Sequence, residues 1–167
     1  MIKLTLDEIV ESRKRRATKI QNIAKEYNNT VVCLTLNVPG KIRVFELLEH
    51  AFFDGCKRFE EHFKDVIIHE AHSPHATGYE AYFVVDKDPK EVKEVAIKLE
   101  EQDELGLVFN YNVYGADGVE VNRPDLGYPE RKCMLCDHSA AECMRLSTHT
   151  PEDVVIKVQD IIEKYYD

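Results

Sequence analysis

The chain has 167 residues, of which 44% are apolar and 32% charged, with a formal net charge of −9. That length supports one core of ordinary size and leaves little room for two. No apolar run approaches the roughly 18 residues needed to span a bilayer, which excludes a transmembrane helix. Five cysteines, an odd number, accompany an N-terminus, Met1-Ile2-Lys3-Leu4-Thr5, without a charged-then-apolar secretory pattern. They read as reduced thiols in the cytoplasm rather than as a disulfide framework.

Residues 1–30 carry seven Lys/Arg against four Asp/Glu, a balance of +3, and the rest carry fifteen against twenty-seven, or −12. An acidic body argues against a nucleic-acid partner, which needs a basic face, and no membrane partner is expected. The run Ser12-Arg13-Lys14-Arg15-Arg16 reads either as a solvated helix face or as a patch for phosphates or an acidic protein. Thr5-Leu6-Asp7-Glu8 has capping-box form, and Leu6, Ile9, Val10, Ala17, Ile20, Ala24 and Tyr27 follow at helical spacing. They predict an amphipathic helix ending near Asn28-Asn29. Its stripe places Arg13 on the buried side, where a guanidinium needs an anionic partner.

Val31-Val32-Cys33-Leu34-Thr35-Leu36 has the near-continuous apolar character of a central strand and stops at Asn37-Val38-Pro39-Gly40. A second helix is expected to carry Phe45, Leu48, Phe52, Cys56, Phe59 and Phe63 on one face. The Pro39-Gly40 turn entering a helix with Lys41 and Arg43 outlines a phosphate seat, to which Arg13 and Arg16 add charge. Val66-Ile67-Ile68 reads as a short strand and 69–77 as a loop. His69, His72 and His75 suit neither a helix face nor a strand face, so a mobile polar loop is expected there rather than a metal site. Beside Thr77-Gly78 such a loop would lie over a bound phosphate.

Residues 79–85 read as a strand, and Asp88-Pro89 opens a third helix with Val92, Val95, Ala96 and Leu99 as its stripe. Residues 105–114 read as a long strand. Its odd positions, from Leu105 to Val113, face the core; Gly106, Val108, Asn110, Asn112 and Tyr114 face away. Asn is depleted in strands, so Asn110 and Asn112 mark either a partly solvated edge or a polar pair lining a cleft. A short strand at 119–121 and an irregular connection at 122–128 follow. Thr150-Pro151-Glu152-Asp153 then opens a final helix with Val154, Val158, Ile161 and Tyr165 as its face.

The order β-α-β-β-α-β between 31 and 114 predicts an α+β fold with a ferredoxin-like core, its helices on one face of an antiparallel sheet. One domain is expected over 1–167: a basic helix at 1–30, an α+β core at 31–121, and a Cys-rich segment with a final helix at 122–167. Within that last part, Cys133, Cys136, Cys143 and His149 match a tetrahedral Cys3His zinc site in ligand type. The alternative is ordinary reduced cysteines in a packed cap. Ser139 and Glu142 are placed to cap a short helix carrying Cys143. No Walker loop, G-x-G-x-x-G, G-x-S-x-G or H-E-x-x-H occurs, which lowers the weight of common nucleotide folds and hydrolases.

Several segments together resemble one family over nearly the whole chain. They are Leu6-Asp7-Glu8-Ile9 with Glu11-Ser12-Arg13 and Arg16, Leu36-Asn37-Val38-Pro39-Gly40-Lys41-Ile42, Thr77-Gly78-Tyr79-Glu80-Ala81 and Leu105-Gly106. Arg131-Lys132-Cys133-Met134-Leu135-Cys136 with Ser139-Ala140-Ala141-Glu142-Cys143 is the most specific. The family is the citrate lyase holo-acyl-carrier-protein synthases, or apo-citrate lyase phosphoribosyl-dephospho-CoA transferases.

The resemblance implies transfer of a phosphoribosyl-dephospho-CoA unit from its triphosphate precursor, triphosphoribosyl-dephospho-CoA, to a serine of the lyase's acyl carrier subunit, with release of pyrophosphate. This is a transfer of nucleotidyl type, for which Mg²⁺ is expected. Arg13, Arg16, Lys41, Arg43 and Arg131 would bind the triphosphate, with Asn37, Gly40, Thr77 and Gly78 in the same substrate site. Asn110 and Asn112 would mark the catalytic strand, with Arg123 and Asp125 in the following loop. Family members read Leu-Gly-Arg-(apolar)-(aromatic)-Asp-(apolar)-Asp-Val where this chain has Leu105-Gly106-Leu107-Val108-Phe109-Asn110-Tyr111-Asn112-Val113. Both acids are amides here, and the arginine is Leu107. Three explanations follow: metal held by other acids such as Glu80 or Asp125, a catalytically weak relative that binds carrier or precursor, or engineered amides. A zinc module serving partner binding is a further alternative.

Overall fold

The computed structural model describes residues 2–3, 5–38, 42–43, 46–75 and 78–167, with 2–3, 42–43 and 74–75 as strand backbone. The elements run β1 (Ile2–Lys3), α1 (Leu6–Tyr27), β2 (Thr30–Leu36), β3 (Ile42–Arg43), α2 (Leu48–Phe63), β4 (Ile67–His75) and β5 (Gly78–Val85). They continue with α3 (Pro89–Glu101), β6 (Phe109–Tyr114), β7 (Glu120–Val121), α4 (Ala140–Leu146) and α5 (Pro151–Tyr166). Five strands form one antiparallel sheet in the order β4-β5-β2-β6-β7, while β1 and β3 pair separately.

β2 is apolar along nearly its whole length because both of its faces are covered. Val32, Leu34 and Leu36 join Phe83, Phe109 and Tyr111 in the main core with residues of α2, α3 and α5. Val31 and Cys33, with Tyr82 and Val84, meet Ile20, Ile23 and Ala24 of α1 on the opposite face. The two core helices α2 and α3 thus lie together on one face, as the sequence placed them, and α1 covers the other. α1 starts at the expected capping box: Glu8 N–H donates to Thr5 Oγ1 at 3.1 Å, and Thr5 N–H donates to Glu8 Oε2 at 3.4 Å. It ends at Asn28 in the left-handed region, φ 49°. Asp88, Ser139 and Thr150 cap α3, α4 and α5 through their side chains.

Four expectations need correction. Residues 69–75 do not form a loop, because β4 runs to His75, which pairs with Gly78 of β5, and residues 76–77 of that expected loop lie outside the described residues. Pro74 is compatible with this because β4 lies at the sheet edge, where one side of the strand needs no ladder hydrogen bond. A bulge beside Ile68 shifts the register, after which period two separates the histidines. His69 stacks on Tyr27 of α1 at 4.8 Å, whereas His72 lies against Phe52 and Phe53 of α2.

Residues 105–108 form a short 3-10 helix instead of the start of a strand. Gly106 belongs there for a steric reason: a Cβ would sit 2.6 Å from the carbonyl oxygens of Leu99 and Glu100, inside contact distance of the α3 backbone. The helix expected to carry Lys41 and Arg43 is not found at Arg43, and Lys41 lies outside the described residues. Arg43 lies in β3, and α2 begins only at Leu48. Finally, the buried face of α5 is Val155, Val158, Ile161 and Ile162, leaving Tyr165 49% exposed.

β7 covers β6 only at Val113 and Tyr114, so the outer edge of β6 before them needs other hydrogen-bond partners. Side chains supply them. Tyr111 N–H donates to Glu100 Oε2 at 2.8 Å, Lys93 Nζ donates to Tyr111 O at 3.2 Å, and Arg131 donates to the carbonyls of Leu107 and Phe109, each at 2.7 Å. Glu100 is 2% exposed and pairs with Arg123 at 2.6 Å and Arg131 at 3.4 Å. Glu100→Gln keeps an oxygen for Tyr111 but leaves two guanidinium groups short of charge. It should cost about 3 kcal/mol in urea unfolding. A loss well under 1 kcal/mol would show that the edge does not depend on this charge.

Candidate functional site

The C-terminal half of α1 packs on the sheet and its N-terminal half does not. Leu6 is 64% exposed and Val10 40%, contrary to the continuous stripe expected from their spacing. At the changeover lies Glu80 of β5, 2% exposed. Arg15 Nη1 and Nη2 reach its two carboxylate oxygens at 3.1 and 3.2 Å, Arg16 Nε donates at 3.3 Å, and the Tyr82 hydroxyl donates at 2.6 Å. Arg15 also donates to Ser12 Oγ at 3.0 Å. Burial works against ionising Glu80, but the hydrogen bonds from Arg15 and Tyr82 and the charges of Arg16 and Arg15 outweigh it. They hold the carboxyl below its usual range. The guanidinium that finds the expected anionic partner is thus Arg15, not Arg13.

Beyond the clamp, the overhanging half of α1 roofs a cavity of about 680 Å³, within the size range of small-molecule sites. Its α1 side presents Ile9, Ser12, Arg13 and Arg16; its sheet side presents Thr35, Gly78, Glu80 and Asn110, with Asn37 just after β2. The C-terminal segment closes it through Lys132, Cys133, Met134, Cys143, Met144, Ser147, His149 and Thr150. Asn37 is held there by its N–H, which donates to Val108 O at 2.6 Å. Among the described lining residues three cations stand against one carboxylate, in a chain whose net charge is −9. Among the described residues, Arg13 and Lys132 form no ion pair.

The structure brings Arg13, Arg16, Asn37, Gly78, Asn110, Cys133, Cys143 and His149 to one cavity. Cys136 belongs to the same thiol cluster. Asn112 shares the sheet face of Asn110 but lies opposite Cys33, under α1 and away from the cavity lining. Arg123, Asp125 and Arg131 also lie off that lining. Arg123 pairs with Glu100 and Glu101, Arg131 holds the edge of β6, and Asp125 Oδ2 accepts the Asn122 N–H at 2.8 Å. Gly40, Lys41 and Thr77 lie outside the described residues, as does the side chain of Arg43. Glu80 and Lys132 are the charged lining residues that the sequence did not single out for the substrate site, and Thr35 is a polar one. The two charged residues stand in segments quoted for the resemblance, and the alternation Glu80-Ala81-Tyr82 placed the carboxylate on the face shared with Tyr82.

Mg²⁺ usually takes one or two carboxylates together with substrate phosphates. The only carboxylate among the described lining residues is Glu80, already engaged by Arg15, Arg16 and Tyr82, and Asp125 caps a turn elsewhere. The described lining of this cavity therefore does not fit a Mg²⁺ site. They offer cations and amides suited to an anion.

The ligand atoms of Cys133, Cys136, Cys143 and His149 all lie within 4.8 Å of one another. Leu135 N–H points at Cys133 Sγ at 3.4 Å, and Cys136 Sγ and Cys143 Sγ are 3.2 Å apart. Burial pushes the Cys133 thiol up, yet the amides of Leu135 and Cys136 outweigh it and bring it below its ordinary value.

The clamp makes a pH-dependent prediction. A carboxylate whose folded pKa is depressed stabilises the fold above its unfolded pKa of about 4.3, and that stabilisation disappears as pH falls through the folded value. Glu80→Gln should cost about 2–3 kcal/mol at neutral pH, and the gap between variant and parent should narrow from pH 5 downward. Urea unfolding at a series of pH values measures this. A gap independent of pH would refute the clamp.

The family model described as apo-citrate lyase phosphoribosyl-dephospho-CoA transferase matches residues 4–165. The chain is 28% identical over 166 residues to the protein CitXG of Haemophilus influenzae, covering 98% of this chain and 36% of that protein. It is 26% identical over 162 residues to the apo-citrate lyase phosphoribosyl-dephospho-CoA transferase of Citrobacter koseri, covering 95% and 88%. To the probable transferase of the same name from Streptococcus pyogenes serotype M18 it is 25% identical over 168 residues, covering 98% and 88%. The chain thus spans about a third of the CitXG protein and most of the other two. A match over nearly its whole length shows that this chain belongs to the apo-citrate lyase phosphoribosyl-dephospho-CoA transferase family.

Proposed function

We propose that the cavity holds triphosphoribosyl-dephospho-CoA and that the protein transfers its phosphoribosyl-dephospho-CoA unit to a serine of the citrate lyase acyl carrier subunit in the cytoplasm. The observation that carries this reading is the charge of the lining: among the described residues, Arg13, Arg16 and Lys132 stand against one carboxylate, the already paired Glu80. A triphosphate concentrates negative charge, and cations held in a partly enclosed site act on it more strongly than in water. Ile9, Val38, Met134, Met144 and Val154 give the same cavity an apolar lining suited to the less polar parts of the precursor.

The transfer is of nucleotidyl type. The serine hydroxyl oxygen forms a bond to the innermost phosphorus, the bond from that phosphorus to pyrophosphate breaks, and the hydroxyl proton passes to solvent. Arg13 and Lys132 take up the charge that grows on the leaving pyrophosphate, and Asn110 and Thr35 orient the reacting group by hydrogen bonding. The exposed cation Lys14 on the overhanging half of α1, outside the cavity lining, suits an acidic carrier, since opposite potentials raise the association rate. The strand order β4-β5-β2-β6 with α2 and α3 as connections supports a ferredoxin-like reading of the core.

A second reading is favoured by one observation. Asn110 enters the cavity as an amide and brings no charge there, as a catalytically weak relative that binds carrier or precursor would have it.

Intact-mass spectrometry of the apo carrier subunit, incubated with this protein and the precursor with and without Mg²⁺, separates the two. Transfer by the unmodified protein is expected, and Arg13→Ala should slow it about 10²-fold while leaving the unfolding midpoint unchanged. Transfer only by the Asn110→Asp/Asn112→Asp variant would establish the second reading. No transfer by either, beside an active family member, would sink the first.

A further inference from the structure

The geometry points to a zinc ion bound by Cys133, Cys136, Cys143 and His149, in a closed structural site that fastens the outer wall of the cavity. Three thiols and an imidazole whose ligand atoms lie within 4.8 Å of one another have the donor types and the spread of a tetrahedral centre. With Zn–S bonds of about 2.3 Å, the sulfur atoms of such a centre stand roughly 3.7 Å apart. Cys136 and Cys143, at 3.2 Å, need to part by only a few tenths of an ångström. His149 supplies an independent observation. Its Nε2 is the only buried side-chain nitrogen or oxygen among the described residues with no hydrogen-bond partner. Leaving such a group unsatisfied is costly, and an imidazole that coordinates metal through one nitrogen normally places its other nitrogen on a nearby acceptor or water.

The segment also needs a fastening. Between 132 and 149 only Cys143 is buried, while Met144 is 78% exposed and Leu146 57%. α4 has seven residues, too few to hold its shape alone. Arg131 ties the start of this segment to β6, and α5 is anchored by Val155 and Val158. What lies between has no core of its own, and four ligands from the 133–136 loop, α4 and the 147–150 connection would join all three parts. Zinc suits three thiolates and one imidazole better than Mg²⁺ or Ca²⁺, which prefer oxygen. Four protein ligands leave no open position, so the ion would shape the cavity rather than react in it.

A disulfide between Cys136 and Cys143 is the competing use of these atoms. It would strand Cys133 and His149, and 3.2 Å is far beyond the S–S bond length of about 2.05 Å.

The full chain, purified under reducing conditions without chelator, should contain about one zinc per molecule by elemental analysis. After removal of metal, Co²⁺ added to the same chain should give the intense visible bands of tetrahedral coordination and a thiolate-to-cobalt charge-transfer band. Cys143→Ser and His149→Ala should weaken both. Chelation should lower the melting temperature of the unmodified protein by several degrees. None of these readouts depends on transfer activity, so they stand or fall apart from it. Less than about a tenth of a metal per chain, together with a pale octahedral cobalt spectrum in the unmodified protein, would overturn the assignment. So would an intact mass showing a Cys136–Cys143 disulfide in the reduced preparation.

Discussion

Glu80 sits where α1 stops packing on the sheet and begins to overhang it, and its ion pairs with Arg15 and Arg16 set the line of that departure. Without an anion at this point, a basic helix turn would have no reason to approach the face that Tyr82 and Cys33 occupy. With it, Ser12, Arg13 and Arg16 are carried out over the ends of β2 and β5. A buried carboxylate with this many donors is costly to desolvate and stabilises chiefly because its partners are already in place. The arrangement fixes a geometry more than it adds strength, and the cavity exists because of that geometry.

The opposite side of the fold solves a different problem in a similar way. β6 is nearly an edge strand, and Glu100, Lys93 and Arg131 take the hydrogen bonds that a longer β7 would have taken. Arg131 thereby serves two regions. It closes the sheet edge and delivers Lys132 and Cys133, the next residues in the chain, to the cavity.

The framework was legible in the sequence wherever periodicity and caps agreed. Asp88, Ser139 and Thr150 open helices as their residue types predict, and β2 and β5 follow their apolar runs. Reading failed where tertiary context overrode local chemistry. Pro74 suggested a break, but an edge strand tolerates it. Leu105-Gly106-Leu107-Val108 alternates like a strand, yet contact with the α3 backbone turns it into a 3-10 helix. The resemblance put Arg131 with the triphosphate and Arg123 in the catalytic loop; that both pair with a buried Glu100 is a relation the linear order does not reveal. The cavity was half legible for the same reason. Arg13, Asn37 and Asn110 could each be picked out singly, but the pairing of Glu80 with Arg15 is a relation between residues 65 positions apart.

The cavity draws on α1, the ends of β2 and β5, β6 and the Cys-rich segment, so its walls come from regions separated by up to most of the chain. Loop closure over such distances is entropically unfavourable. Two of those walls, the overhanging half of α1 and residues 132–149, bury little apolar surface of their own. With so little buried apolar surface, both are expected to exchange their amides faster than the sheet does. Occupancy of the cavity would therefore register first as slower amide exchange in these two walls, with the strands between them almost indifferent to whether anything is bound.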